Sequence, residues 1–562
     1  MLKITQFFET DVLVVGGGIA GLMAGIAARD QGADVIIAEK ADTRRSGSGA
    51  TGNDHFLCYI PEKHGDDPRL VLHEIADSML GSNMDADIAM RFLNESFNVV
   101  KSWHEWGINM RLHDDWTFMG HAFPGRPRIF LKYDGHNQKA VLTREAKKRG
   151  ARLLNHHPVL ELIKDENGVA GALALDVSSP EPAFTLIRAK TVILATGSGN
   201  RLYPSTSTPG MLFNTGFCPG CTAAALALSW RIGARLVNME IPFRHAGPRY
   251  FTRCGKATWI GMYRYPDGKP LGPFVTKATR ELGDITGDVW NTSFTDLMCN
   301  GRGPAYMDCT QDAPEDLAFM REGMASEGLT SLIDYMDANG IDPGKHVVEF
   351  GQFEPFLIGR GVEIDINGQS TIPGLYAAGD VMGNFRADMG GAAVMGWISG
   401  KEAAAACANR SLISAERAES DAWLNERLAY YGGFYERKQG AGWKDANMAL
   451  QQIMNDYAAV GPHRVRSGSL LSAGLEYLRQ LREQAVAQLS TSCSHTLMRA
   501  TEVLDLMDCG EAVIRAAMER KESRGLHQRA DFTFTNPLLN NKFLEIWRED
   551  GAVRMNWRSK RQ

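Results

Sequence analysis

Three apolar segments of this 562-residue chain end in glycine, small residues or a carboxylate, and each could form the floor of a phosphate or ribose site. The first runs Asp11-Val-Leu-Val-Val-Gly16-Gly-Gly18-Ile-Ala-Gly21 and is followed by Val35-Ile-Ile-Ala-Glu39-Lys40. Gly16 permits the sharp turn, Gly18 lets a pyrophosphate approach a helix N-terminus, and Gly21 lets that helix pack closely on the strand. Glu39, about 20 residues beyond the glycines, is placed to accept from ribose hydroxyls. The second segment is Lys190-Thr-Val-Ile-Leu-Ala195-Thr196-Gly197, and the third is Gly374-Leu-Tyr-Ala-Ala-Gly379-Asp380. The order strand, glycine turn, helix, strand, acid predicts a bound dinucleotide.

Further chemistry lies between the second and third segments. Residues 241–266 carry Arg244, His245, Arg249, Arg253, Lys256 and Arg264 with no Asp or Glu. In a chain of net charge −5 this local excess predicts an anion site or a surface for an acidic partner. Arg244 and Arg249 have the fork geometry to clamp an oxyanion, and His245 can donate to it or act as an acid. Arg386, just after the third strand end, is a third arginine candidate; Tyr250 and His121 are weaker ones. Nine cysteines are scattered, with Cys218-Pro-Gly-Cys221 the only close pair. No run has iron–sulfur or zinc spacing, and the pair reads as structural thiols leading into a helix.

Elements must bring these residues together from far apart in the chain. The expected architecture is α/β: a Rossmann-like dinucleotide domain with an inserted capping domain and a C-terminal helical domain. The dinucleotide domain takes residues 1–240 and 351–410, the cap 241–350, and the helical domain 411–562, where leucines recur at helical spacing. A helix starting near Gly391 and Ala392 presents its N-terminal amides to the cofactor. The 44% hydrophobic and 23% charged composition is that of an ordinary globular protein, and the charge balance gives no sign of nucleic-acid binding. No apolar run is long enough for membrane insertion, and the N-terminus reads as no signal peptide, so a cytoplasmic location is expected.

The three strand ends, with Asn214-Thr-Gly216, Met239-Glu240 and the tail Glu522-Ser-Arg-Gly-Leu-His527-Gln-Arg529-Ala-Asp531, resemble the flavoproteins of the succinate dehydrogenase and fumarate reductase family. The resemblance implies FAD, and implies that the tail holds the domains together. Within the family, Arg45-Ser46-Gly47-Ser48-Gly49-Ala50-Thr51-Gly52 and Glu354-Pro-Phe-Leu-Ile-Gly359 resemble the α subunits of adenylylsulfate reductase. Covalent members carry a histidine where this chain has Gly47, so the resemblance implies non-covalent FAD. It also implies that the partner is a small ferredoxin-like iron–sulfur subunit, that this chain holds no cluster, and that the substrate is a small anion. Trp259 falls near the tryptophan that passes electrons from cluster to flavin in that branch.

The chain departs from both branches. The arginine segment that donates protons in dicarboxylate reductases has no counterpart, since Thr279-Arg280-Glu281-Leu-Gly283 is a poor substitute. Asn384-Phe-Arg386-Ala-Asp388-Met-Gly390 replaces the family's His-Gly-Ala-Asn-Arg pattern, and Ala387 and Leu57 stand where the adenylylsulfate branch has histidine and asparagine. The implied function is a reductase or dehydrogenase flavoprotein. The alternatives are a stand-alone oxidase similar to L-aspartate oxidase and a non-catalytic electron-relay subunit.

Overall fold

The computed structural model describes residues 2–78, 81, 83–119, 126–206, 208, 210–249, 258–271, 278–280, 297–298, 300–416, 422–461 and 465–562. Tyr250, His121, Arg253 and Lys256 lie outside them.

The strand Ile4–Val15 starts with alternating exposure and ends fully buried, because its second half runs through the middle of a sheet. It pairs in parallel with Val35–Glu39 on one side and Ala183–Leu194 on the other. Arg152–Asn155 extends the sheet beyond Val35–Glu39, and Leu375–Ala377 joins Ala183–Leu194, both in parallel. All five parallel strands therefore end along one edge, where α/β sheets bind ligands. Val159–Asp165 and Gly168–Asp176 add an antiparallel flap that pairs with Ala183–Leu194.

Two helices back this edge. Ile19–Asp30 begins directly after the glycine turn, and Asp388–Ala406 lies across it. The crossing is close because Gly396 and Gly400 face Ala20 and Ala24: a Cβ at either glycine would stand 2.3 or 2.2 Å from the opposing carbonyl oxygen. Both helices are apolar nearly all round, as fully enclosed helices are.

The segment between the second and third parallel strand ends builds its own antiparallel sheet. Its strands lie in the order Ala246–Pro248, Val348–Gln352, Ala305–Asp308 and Met262–Arg264. A separate apolar cluster around Trp259, Met307, Met324 and Phe350 fills it.

The last part of the chain contains the helices Ala422–Glu436, Trp443–Tyr457, Gly468–Gln488 and Ser494–Glu519. It is not helical to its end. Lys542–Glu549 and Ala552–Ser559 form a hairpin, and the first of them pairs with Leu236–Val237 of the dinucleotide domain. Asp550 and Gly551 sit at φ +51° and +77°, the turn chemistry that matches strand twist. The tail motif braces an interdomain joint: Glu522 receives Arg520, which bonds Glu240 at 2.7 Å, and His527 lies 2.7 Å from Arg466, which donates to the Glu240 carbonyl.

Candidate active site

The parallel strand ends open into a cavity of about 620 Å³. Gly16 turns the chain at φ +103°, and a Cβ there would meet the Ala195 carbonyl oxygen at 2.5 Å. At Gly21 a Cβ would stand 1.8 Å from the Gly16 carbonyl oxygen. Gly16 is required by contact and by conformation, Gly21 by contact. Gly18 caps the helix Ile19–Asp30 and lines the cavity. Glu39 is buried, its carboxylate accepting from Gly17 N at 2.7 Å and Ala41 N at 2.8 Å, so its oxygens are fixed at the cavity wall.

Ser46, Gly47, Ala195, Thr196, Gly197, Gly379, Asp380 and Ala392 also line the cavity. Gly391 does not; it is buried in the first turn of its helix beside Ala387. Lys40 lines the wall while its ammonium bonds Glu502 of the C-terminal helices at 2.6 Å. Glu502 also receives Arg201 and Arg499; burial pushes its carboxyl up, but the three cations together hold it down at about 2.

These residues fit a dinucleotide such as FAD. The Ser46 hydroxyl is buried with no hydrogen-bond partner among the described residues, and it sits beside Gly47 in the wall. A donor buried this way needs a ligand acceptor to offset its desolvation.

At the other end of the wall the arginine and histidine candidates separate. Arg386 is buried, donates from Nε to Asp388 Oδ1 at 2.7 Å, and lies 4.0 Å from the centre of the Phe243 ring. Its Nη1 has no partner among the described residues. His245 lines the same region, with Nδ1 against the Ala246 backbone. Arg244 and Arg249 are not brought there. Arg244 is buried and clamps the carbonyls of Phe353 and Val460, joining cap to C-terminal helices. Arg249 pairs with Glu349 across the cap sheet and does not line the cavity. Arg264 is likewise paired, with Asp308. Trp259 is packed edge-on against Phe350 in the cap's own core, not in the cavity wall.

The structure adds a group that sequence reasoning passed over. His55 lines the cavity, and its Nδ1 lies 2.7 Å from Asp54 Oδ1. Burial would raise the Asp54 carboxyl, yet the Lys132 ammonium at 2.8 Å and His55 hold it well below the carboxylate range. An ionised carboxylate only accepts, so His55 Nδ1 is the donor in this contact. Burial pushes the Asp388 carboxyl up, but the charge and hydrogen bond of Arg386, together with His55 and His245, hold it below the ordinary carboxylate value. Asp380 goes the other way, raised to about 6 by burial and by the Asp388 charge. Two histidines, one arginine and two carboxylates thus converge where the helix Asp388–Ala406 begins. The available signal was Asn53-Asp54-His55, an acid and a histidine directly after the glycine-rich loop.

Residues 11–396 match the FAD binding domain family, and residues 447–559 match the fumarate reductase flavoprotein C-terminal family. The chain is 24% identical to a fumarate reductase (CoM/CoB) subunit of Methanothermobacter marburgensis, covering 96% of this chain and 98% of that protein. It is 27% identical to the L-aspartate oxidase of Mycobacterium bovis, with 94% and 93% covered. The fold superposes on adenylylsulfate reductase from Archaeoglobus fulgidus with a TM-score of 0.83, at 21% identity, covering 100% of this chain and 96% of that one. It superposes on Escherichia coli quinol fumarate reductase with a TM-score of 0.82, at 20% identity, covering 99% and 97%. The chain therefore belongs to the FAD-dependent oxidoreductase flavoproteins of the fumarate reductase type.

Proposed function

We propose that this chain is the FAD-carrying catalytic subunit of a cytoplasmic reductase or dehydrogenase. It exchanges electrons between a small anionic substrate and a small ferredoxin-like iron–sulfur subunit. The observation that carries the substrate class is Arg386, a buried guanidinium in the cavity wall with Nη1 unpartnered among the described residues. A charge buried with an open donor is costly unless an anion completes it. FAD, when bound, supplies hydride and electron transfer at its isoalloxazine ring. Gly16, Gly18, Gly21, Glu39, Ser46, Gly47, Thr196, Gly197, Gly379 and Asp380 hold it, with Lys40 bracing the wall. Gly47 has no side chain to form a covalent bond, which supports non-covalent binding.

Arg386 orients the substrate anion, and Asp388 fixes the guanidinium from behind. His245 and His55 face the same space and hold the protons that the reaction moves, with Asp54 and Lys132 keeping the His55 ring in place. Arg244 and Arg249 serve the frame of the cap. Several similar proteins are named as subunits, including the Methanothermobacter protein and a fumarate reductase flavoprotein subunit of Mycobacterium tuberculosis, which supports a partner that carries the electrons. Among the described residues no group of three or more His, Cys, Asp or Glu could hold a metal ion. Among the same residues no helix is long and apolar enough to cross a membrane.

The similarity to L-aspartate oxidase keeps a second reading, an oxidase that needs no partner. Purification from the native source with iron analysis, followed by viologen-linked reduction of fumarate-like and adenylylsulfate-like anions, separates the two. Co-purifying iron with slow reoxidation in air is expected. Flavin alone, with fast reoxidation in air, overturns the two-component reading and favours the oxidase.

A further inference from the structure

Cys218 and Cys221 both lie in the cavity wall, on the segment that also contributes Thr215, Gly216, Phe217 and Thr222. Both are free thiols. Cys221 N donates to the Cys218 carbonyl at 3.0 Å, closing a four-residue turn around Pro219 and Gly220. Such a turn brings its end Cα atoms within about 7 Å, overlapping the separation a disulfide spans. Gly220 lies between the first thiol and the Lys40 side chain: a Cβ there would be 3.5 Å from Cys218 Sγ and 4.0 Å from Lys40 Cε. Cys221 Sγ packs on Gly197, where a Cβ would stand at 2.9 Å.

The two thiols are not equivalent. Cys218 is half-buried and held below the ordinary thiol range, first by the Cys221 S–H, then by backbone amides and Lys40, against the opposing effect of burial. Cys221 is buried and pushed well above that range, first by its hydrogen bond to Cys218 and then by burial. A half-buried thiolate beside a protonated partner is the arrangement of an attacking and a resolving cysteine. Burial pushes the Cys58 and Cys509 thiols up, while Cys493 is held down by Thr496 and backbone amides against the effect of burial.

We infer that Cys218 and Cys221 are a thiol–disulfide site in the cofactor wall, oxidised by low-molecular-weight disulfides of the glutathione class, and that closing the bond slows dinucleotide exchange. The Cys218 thiolate attacks one sulfur of the small disulfide, forming a mixed disulfide and releasing one small thiolate. Cys221 then loses its proton and attacks the Cys218 sulfur, releasing the second. Two protein thiols and one small disulfide become one protein disulfide and two small thiols. The new bond ties the two ends of the turn, so the wall opens less often around the bound group. The two cysteines share the cavity with Arg386, but the test of this site does not need a substrate.

The FAD-loaded protein is incubated with oxidised glutathione, quenched by alkylation in mild acid, and mapped by peptide mass. The peptide holding both cysteines is expected to lose two hydrogens and regain them with dithiothreitol. Cys221→Ser should instead retain one glutathione on Cys218, and Cys218→Ser should leave Cys221 unmodified. Oxidised protein should release FAD roughly three- to tenfold more slowly than reduced protein when chased with excess apo-flavoprotein acceptor. Absence of the internal bond, or glutathione on Cys221 in the Cys218→Ser variant, overturns the site. A bond that leaves FAD release unchanged overturns its effect on exchange.

Discussion

The cofactor wall and the capping segment are built by opposite rules. In the wall, function is carried by where the backbone goes. Gly16 and Gly21 are required because another chain atom occupies the space a side chain would need. In the cap, positive charge is carried by long side chains, and nearly every described arginine there is already engaged. Arg249 answers Glu349, Arg264 answers Asp308, and Arg244 answers carbonyls of two distant segments. A local excess of arginine along the chain is therefore not an excess in space. Arg386 is the exception: it is buried at the cavity with a donor still open among the described residues.

That contrast can be broken at several points. The largest effect belongs to Gly21→Ala. The added methyl has no room against the Gly16 carbonyl, and overpacking of this kind costs about 3 kcal/mol. Loss of FAD content and a lowered Tm are expected; normal FAD content would refute the steric account of the turn. Glu502→Gln comes next. Leaving Lys40, Arg201 and Arg499 around a neutral amide should cost roughly 3 kcal/mol in denaturant unfolding.

The same group gives a pH dependence of known sign. Its folded-state carboxyl sits at about 2, below its ordinary 4.5, so its stabilisation is present above 4.5 and is lost as pH falls towards 2. Acid unfolding of the wild type should steepen in that window, and Glu502→Gln should flatten it. Unchanged acid profiles for the two proteins would show that the network is not coupled to folding. The smallest effect is expected for Arg249→Ala, whose ion pair is 38% exposed on the arginine side. Stability should move by no more than about 0.5 kcal/mol, and turnover should stay within a factor of about two. A large loss of turnover would place Arg249 back at the substrate.

Much of the wall was readable from the order of residues. Apolar runs ending in glycine mark buried parallel strands, and their ends share an edge by topology alone, so Gly16, Glu39, Gly197 and Gly379 could be grouped from sequence. The opposite wall was not readable in that way. His55, Thr215 to Cys221 and Asp388 also line the cavity, but they come from loops and a helix start that no strand-end pattern marks. Arg249, Arg264 and Arg244 could not be placed for a related reason: their partners Glu349, Asp308 and Val460 are remote in sequence. The terminal hairpin carried a usable sign, Asp550-Gly551 between two strand-like runs, hidden by the helical pattern before it.

The most direct test of the account is anion binding at Arg386. Titrating the FAD-loaded protein with fumarate and with sulfate, while following the flavin absorbance, should give a saturable shift with at least one of them. Arg386→Lys keeps a positive charge beside Asp388 but loses the planar fork, and should weaken that binding roughly tenfold at unchanged FAD content. Equal affinity in the two proteins, or no anion-dependent shift in the wild type, would contradict the assignment of this cavity end to an anionic substrate.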